Sequence, residues 1–68
     1  KGLSIAGGDL MNSVNEAIGE GRLHNRNGSI LDVRLDEALV TDDGKLLYPV
    51  NDGIPVLLEG ESVSLDQL

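Results

Sequence analysis

A chain of 68 residues with no cysteine and a single histidine, His24, has few ways to hold itself folded. A domain of this size buries only about 60% of the surface its unfolded chain exposes, so natural examples usually add a disulfide, a metal or a partner. A disulfide is excluded by the missing thiols. Structural zinc takes four ligands, commonly Cys and His, and one imidazole cannot supply them. What remains is a self-sufficient core, a partner surface, or further sequence outside the chain. The last is an expectation raised by a chain that opens on Lys1 and not on methionine.

The core must be aliphatic, because Phe and Trp are absent and Tyr48 is the single aromatic. A formal charge of −7 repels nucleic-acid backbones and anionic membrane surfaces, and steers the chain towards a basic patch on a partner. No apolar run approaches the roughly 20 residues that span a bilayer, and no stretch of these residues reads as a secretory signal. The composition fits a cytoplasmic location.

Along the chain, residues 1–8 are small and glycine-rich and read as a flexible lead-in. Asp9 offers a helix N-cap. Leu10, Val14, Ala17 and Ile18 then fall on one helical face, with Met11 beside it, and Gly19 or Gly21 can end the helix. Asn27-Gly28 signals a hairpin through a type I′ turn, with Leu23 and Ile30 on its flanks. The pattern from Asp32 to Glu37 leans to a short helical turn. A second hairpin follows: strand 38–41, a turn at Asp42-Asp43-Gly44, and strand 45–50. Asn51-Asp52-Gly53 turns the chain again into an extended segment, 54–58. Pro49 and Pro55 cannot donate to a ladder, so each marks an edge or a strand start. Residues 61–68, following on from Glu59, read as an acidic tail with about one helical turn.

Few residues invite chemistry. His24 would need a neighbouring nucleophile and an orienting acid, and no motif assembles them, so it reads as a solvated residue beside a turn. Asp42-Asp43-Gly44 has the look of a calcium-loop fragment but lacks the alternating ligands and the glutamate that such a loop needs, which leaves a turn. Gly7-Gly8-Asp9 lacks the lysine and spacing of a phosphate cradle.

One segment is specific: Leu47-Tyr48-Pro49-Val50-Asn51-Asp52-Gly53-Ile54-Pro55-Val56-Leu57-Leu58. Physically it is a stiff, prolyl, half-apolar edge that costs little entropy to order, a plausible docking surface. It resembles the Tyr-Pro-x-x-Asp-Gly-Ile-Pro-x-Leu signature of a family of methyltransferase-activator proteins. That family includes the activator subunit of tRNA and translation-factor methyltransferases, bacterial YcaR-like proteins and mitochondrial PREY proteins. The resemblance covers residues 38–60. The zinc-bearing members' second cysteine pair would fall near Thr41 and Gly44, so the chain resembles a zinc-less branch, with its N-terminal knuckle lost or lying upstream. Residues 9–31, the helix and first hairpin, look like an insertion to which the likeness does not extend.

The fold expected is α+β: a small twisted antiparallel sheet of three to four strands in two hairpins, with one packed helix, on a zinc-ribbon-like scaffold without zinc. The whole chain, residues 1–68, is expected to form one small domain. The resemblance implies a non-catalytic, cofactor-free adaptor or activator of a partner such as an S-adenosylmethionine-dependent methyltransferase or another RNA- or translation-linked enzyme. Its interface or fold-defining positions would be Tyr48, Pro49, Asp52, Gly53, Ile54, Pro55 and Leu57. The alternative is a self-associating domain, a homodimer through an exposed sheet edge.

Overall fold

The computed structural model describes residues 2–68. Its elements are β1 (Leu3–Ile5), α1 (Gly8–Gly19), β2 (Glu37–Thr41), β3 (Leu46–Asn51), β4 (Ile54–Pro55) and β5 (Val63–Ser64), with 3-10 turns at Glu59–Glu61 and Leu65–Gln67. The class is α+β, as expected, with one helix on an antiparallel sheet of five strands in place of three or four. β2 pairs with β1 on one side and β3 on the other. The far edge of β3 is shared by two short strands, β5 opposite Leu46 and Leu47, and β4 opposite Val50 and Asn51.

The helix lies where the apolar spacing puts it, with Val14, Ala17 and Ile18 buried and Leu10 and Met11 packed beside them. Its N-cap is Gly7, not Asp9; Asp9 sits inside the first turn, where its carboxylate still complements the helix dipole. Of the two candidate stop signals the chain uses Gly21, at φ +72°. Gly21 N–H donates to Ile18 O at 3.1 Å and Arg22 N–H to Ala17 O at 3.2 Å, the paired bonds of a Schellman ending that only a left-handed residue permits.

Four further expectations are corrected. Leu3–Ile5, read as part of a flexible lead-in, is a strand: its Leu-Ser-Ile alternation pairs with β2, bracketed by bonds from Asp42 N–H to Gly2 O and from Ala6 N–H to Ala38 O. Residues 32–36 are irregular, not helical, because the Asn15 side chain takes both backbone groups of Leu35. Asn15 Nδ2 donates to Leu35 O at 3.0 Å, and Leu35 N–H donates to Asn15 Oδ1 at 2.8 Å. The 23–31 hairpin exists, but through a three-residue loop: Gly28 N–H bonds Asn25 O, Asn25 N–H bonds Ser29 O, and of the Asn27-Gly28 pair only Gly28 has positive φ. The turn with two positive φ values is Asp52-Gly53, at 53° and 79°, which fits the type I′ form that joins β3 to β4.

The acidic tail is the largest correction. Val63 is completely buried and paired to Leu47, while Asn25 bridges its other side, so the tail is clasped between β3 and the first hairpin. Ser62 is equally buried; its hydroxyl donates to Glu59 O at 2.6 Å and its carbonyl accepts from Arg26 N–H at 2.9 Å. Polar atoms taken out of water this way must be bonded to be tolerated, and here they are. The core joins Val14, Ala17, Ile18 and Leu23 to Ala38, Leu47 and Val63 in one cluster.

Candidate functional site: the uncovered sheet face

Alternation along a strand sends neighbours to opposite faces, so the register separates this sheet into two sides. Ala38, Leu47 and Val63 turn inward and meet α1. The intervening residues turn outward: Leu39 lies opposite Tyr48, Ile5 opposite Leu39, and Leu3 opposite Thr41. Among the described residues no helix covers this outer side. It is nonetheless apolar, with Leu3 43% and Ile5 73% exposed and Leu39, Tyr48 and Val50 half-buried. After β4 the chain brings Leu57, 55% exposed, back beside Tyr48. One end of this face forms an open concavity of about 500 Å³, lined by Gly2, Leu3, Thr41, Asp42, Asp43, Tyr48 and Leu57.

The rim of this concavity is acidic and partly fixed. Thr41 hydroxyl donates to Asp43 Oδ1 at 2.6 Å, and Lys45 N–H donates to the same oxygen at 3.0 Å. The Thr41 hydrogen bond first, then the Lys45 amide, hold the Asp43 carboxyl below its ordinary value of 3.8. The Asp42 carboxylate lies so close over Gly2 that a Cβ there would collide with it. A side chain at that position would have to displace the exposed Asp42 carboxylate from over β1.

The signature residues are dispersed by this geometry. Tyr48 and Leu57 meet in the concavity. Pro49 is buried on the inner side, in a strand paired on both edges, which corrects its reading as an edge or strand-start residue. The strand tolerates it because of where β4 ends. Val56 N–H donates to Pro49 O at 2.9 Å, and the return bond of that pair would come from an amide that proline lacks. Pro55 is exposed on the short edge strand β4, where a proline is expected. Asp52 and Gly53 form the exposed turn, and Ile54, 68% exposed, pairs with Asn51 and so faces away from Tyr48. Leu3 and Ile5 are the site residues that sequence reasoning missed. Their signal was the short Leu-Ser-Ile alternation, hidden by flanking glycines.

The other candidates do not assemble. His24 is exposed, and its backbone is held on both sides by the Gln67 amide, at 3.0 and 2.9 Å. Ser64 lines the same depression as His24, but its hydroxyl donates to Asp66 at 2.8 Å, not to the imidazole. Among the described residues no helix is long and apolar enough to cross a membrane.

No family model matches the chain. It is similar to a UPF0434 protein of Delftia acidovorans, 54% identical over 33 residues, which are 48% of this chain and 55% of that protein. The match therefore spans only about half the length of the curated relative. In structure it is similar to XF2673 from Xylella fastidiosa, solved in solution by NMR, with a TM-score of 0.94 and 36% identity, covering 98% of this chain and 69% of that one. These findings correct the resemblance to methyltransferase activators: they point to UPF0434, and neither relative's name describes an activator. The Tyr-Pro-x-x-Asp-Gly-Ile-Pro string encodes a strand, a type I′ turn and an edge, and a turn solution of that kind is not tied to one activity.

Proposed function

We propose, on the premise that the chain belongs to the same family as XF2673 of Xylella fastidiosa, that it is a non-catalytic protein-binding module: an adaptor or stabiliser that offers its outer sheet face to a partner protein, in the cytoplasm. The observation that carries this reading is the apolar outer face itself, in which Leu3, Ile5, Tyr48 and Leu57 sit opposite the side that α1 covers. Contiguous apolar surface on a soluble domain marks an interaction site more often than chance exposure does. The charge of −7 favours a partner with basic surroundings and opposes a second copy of the chain, which would bring the same charge to the contact. Self-association through the open edge of β1 is the competing reading.

Two measurements separate them. Sedimentation across micromolar concentrations should give a monomer; a stable dimer would favour the self-associating reading. Affinity capture from the native cell should recover a protein with the wild-type chain and lose it with Leu57→Glu, while Asn12→Ala on the helix keeps it. Retention by Leu57→Glu would remove the outer face from consideration.

A further inference from the structure

The concavity joins two chemistries in one slot. Leu3, Tyr48 and Leu57 give an apolar floor, and Asp42 and Asp43 stand at the end where β2 turns into β3. A long cationic side chain is the complement of such a slot, since its methylene stem packs on apolar surface while its head stays hydrated beside a carboxylate. Tyr48, the single aromatic of the chain, adds a ring on which a planar guanidinium can stack, which favours arginine over lysine. Both hydrogen bonds accepted by Asp43 fall on Oδ1, which leaves Oδ2 uncommitted among the described residues. The volume of about 500 Å³ exceeds one side chain and leaves room for the flanking apolar residues of an extended segment.

We propose that the outer-face concavity receives an arginine side chain from an extended, apolar segment of a basic partner protein, with the stem on Tyr48 and Leu57 and the guanidinium at Asp42 and Asp43. This rests on the protein-binding reading and specifies the occupant.

The probe is a synthetic peptide, acetyl-Gly-Val-Arg-Val-Gly-amide, titrated into the full chain with amide NMR shifts and Tyr48 fluorescence as readouts. A second peptide carries citrulline, the neutral isostere, in place of arginine. The expected result is that shifts cluster at residues 2–5, 41–43, 48 and 57. Citrulline should weaken binding about three- to fivefold, as for an exposed ion pair, and Asp42→Asn and Tyr48→Leu should each weaken the arginine peptide by a similar factor. In Asp42→Asn the preference for arginine over citrulline should shrink. Equal binding of the two peptides at this face would overturn the arginine assignment and leave the docking reading standing. Shifts mapping elsewhere, or no binding of either peptide, would also overturn the assignment, and the Leu57→Glu capture decides the docking reading separately.

Discussion

Asn12 and Asn15 lie on the same helix, and the same substitution should move stability in opposite directions at the two positions. Asn12 is exposed, so Asn12→Ala gains helix propensity of roughly 0.5 kcal/mol. Asn15 is half-buried and closes both backbone groups of Leu35, at 3.0 and 2.8 Å. Two such bonds contribute about 1 kcal/mol each. Leu35 is only half-buried, so water can reach the freed groups and the full desolvation penalty does not apply. Subtracting the propensity gain of about 0.5 kcal/mol leaves Asn15→Ala destabilising by roughly 1–2 kcal/mol. Urea unfolding followed by far-UV circular dichroism measures both variants, with an unchanged m-value as the check that the unfolded states are comparable. Asn15→Asp should also destabilise, since it keeps the acceptor and loses the donor to Leu35 O. If Asn15→Ala proved as stable as Asn12→Ala, the account of residues 32–36 as a loop pinned by one amide would be wrong.

The remaining predictions concern the tail, the turn and acid stability. Val63→Ala should cost about 2 kcal/mol by denaturant unfolding, because the residue is fully buried, whereas Leu68→Ala, at a position 44% exposed, should change stability by less than about 0.5 kcal/mol. Asp52 holds φ 53°, so Asp52→Val should destabilise by about 1–2 kcal/mol and Asp52→Asn should be nearly neutral, measured the same way. Asp43 has a folded pKa below its ordinary 3.8, so its contribution is complete above that value and is lost as pH falls through the lower folded one. Asp43→Asn should flatten that acid limb in a circular-dichroism titration from about pH 5 to pH 2, with the wild type retaining it.

The parts of the fold that were legible in sequence are those fixed by local chemistry. The helix followed from four apolar residues on one face, and the β2–β3 hairpin from Asp42-Asp43-Gly44 between two apolar runs. What was not legible depends on partners far along the chain. Asn15 meets Leu35, Gln67 meets His24, and Val63 fills a space between Leu47 and Asn25, and no periodicity announces such pairings. The two Asx-Gly pairs illustrate the same point. Asn27-Gly28 and Asp52-Gly53 carry equivalent local signals, yet the type I′ geometry fits the second, which continues directly into β4, while residues 26 and 27 bend to bond Ser62 and Gly60. Of the site, Tyr48 and Leu57 were identified from the segment that holds them. The β1 residues that complete it were not, because four residues between Gly2 and Gly7 are too few to display a period.

The distribution of side-chain size bears directly on function. Three of the eight buried hydrophobic residues are alanines, Ala6, Ala17 and Ala38, while Leu3, Ile5 and Leu57 on the outer face are exposed. A chain shaped for stability alone would place its large aliphatics inside, where each is worth roughly 1.5–3 kcal/mol, and leave the small residues outside. The exposure of Leu3, Ile5 and Leu57 makes the outer face separable from the core in energy. Ile5→Thr combined with Leu57→Thr should therefore lower unfolding free energy by less than about 1 kcal/mol in total, since both residues are more than half exposed and threonine suits the strand that holds Ile5. The same double variant should lose the partner retained by wild type. A loss of stability beyond about 2 kcal/mol would mean that these side chains belong to the folding core, and their exposure could then no longer be read as a surface kept for another protein.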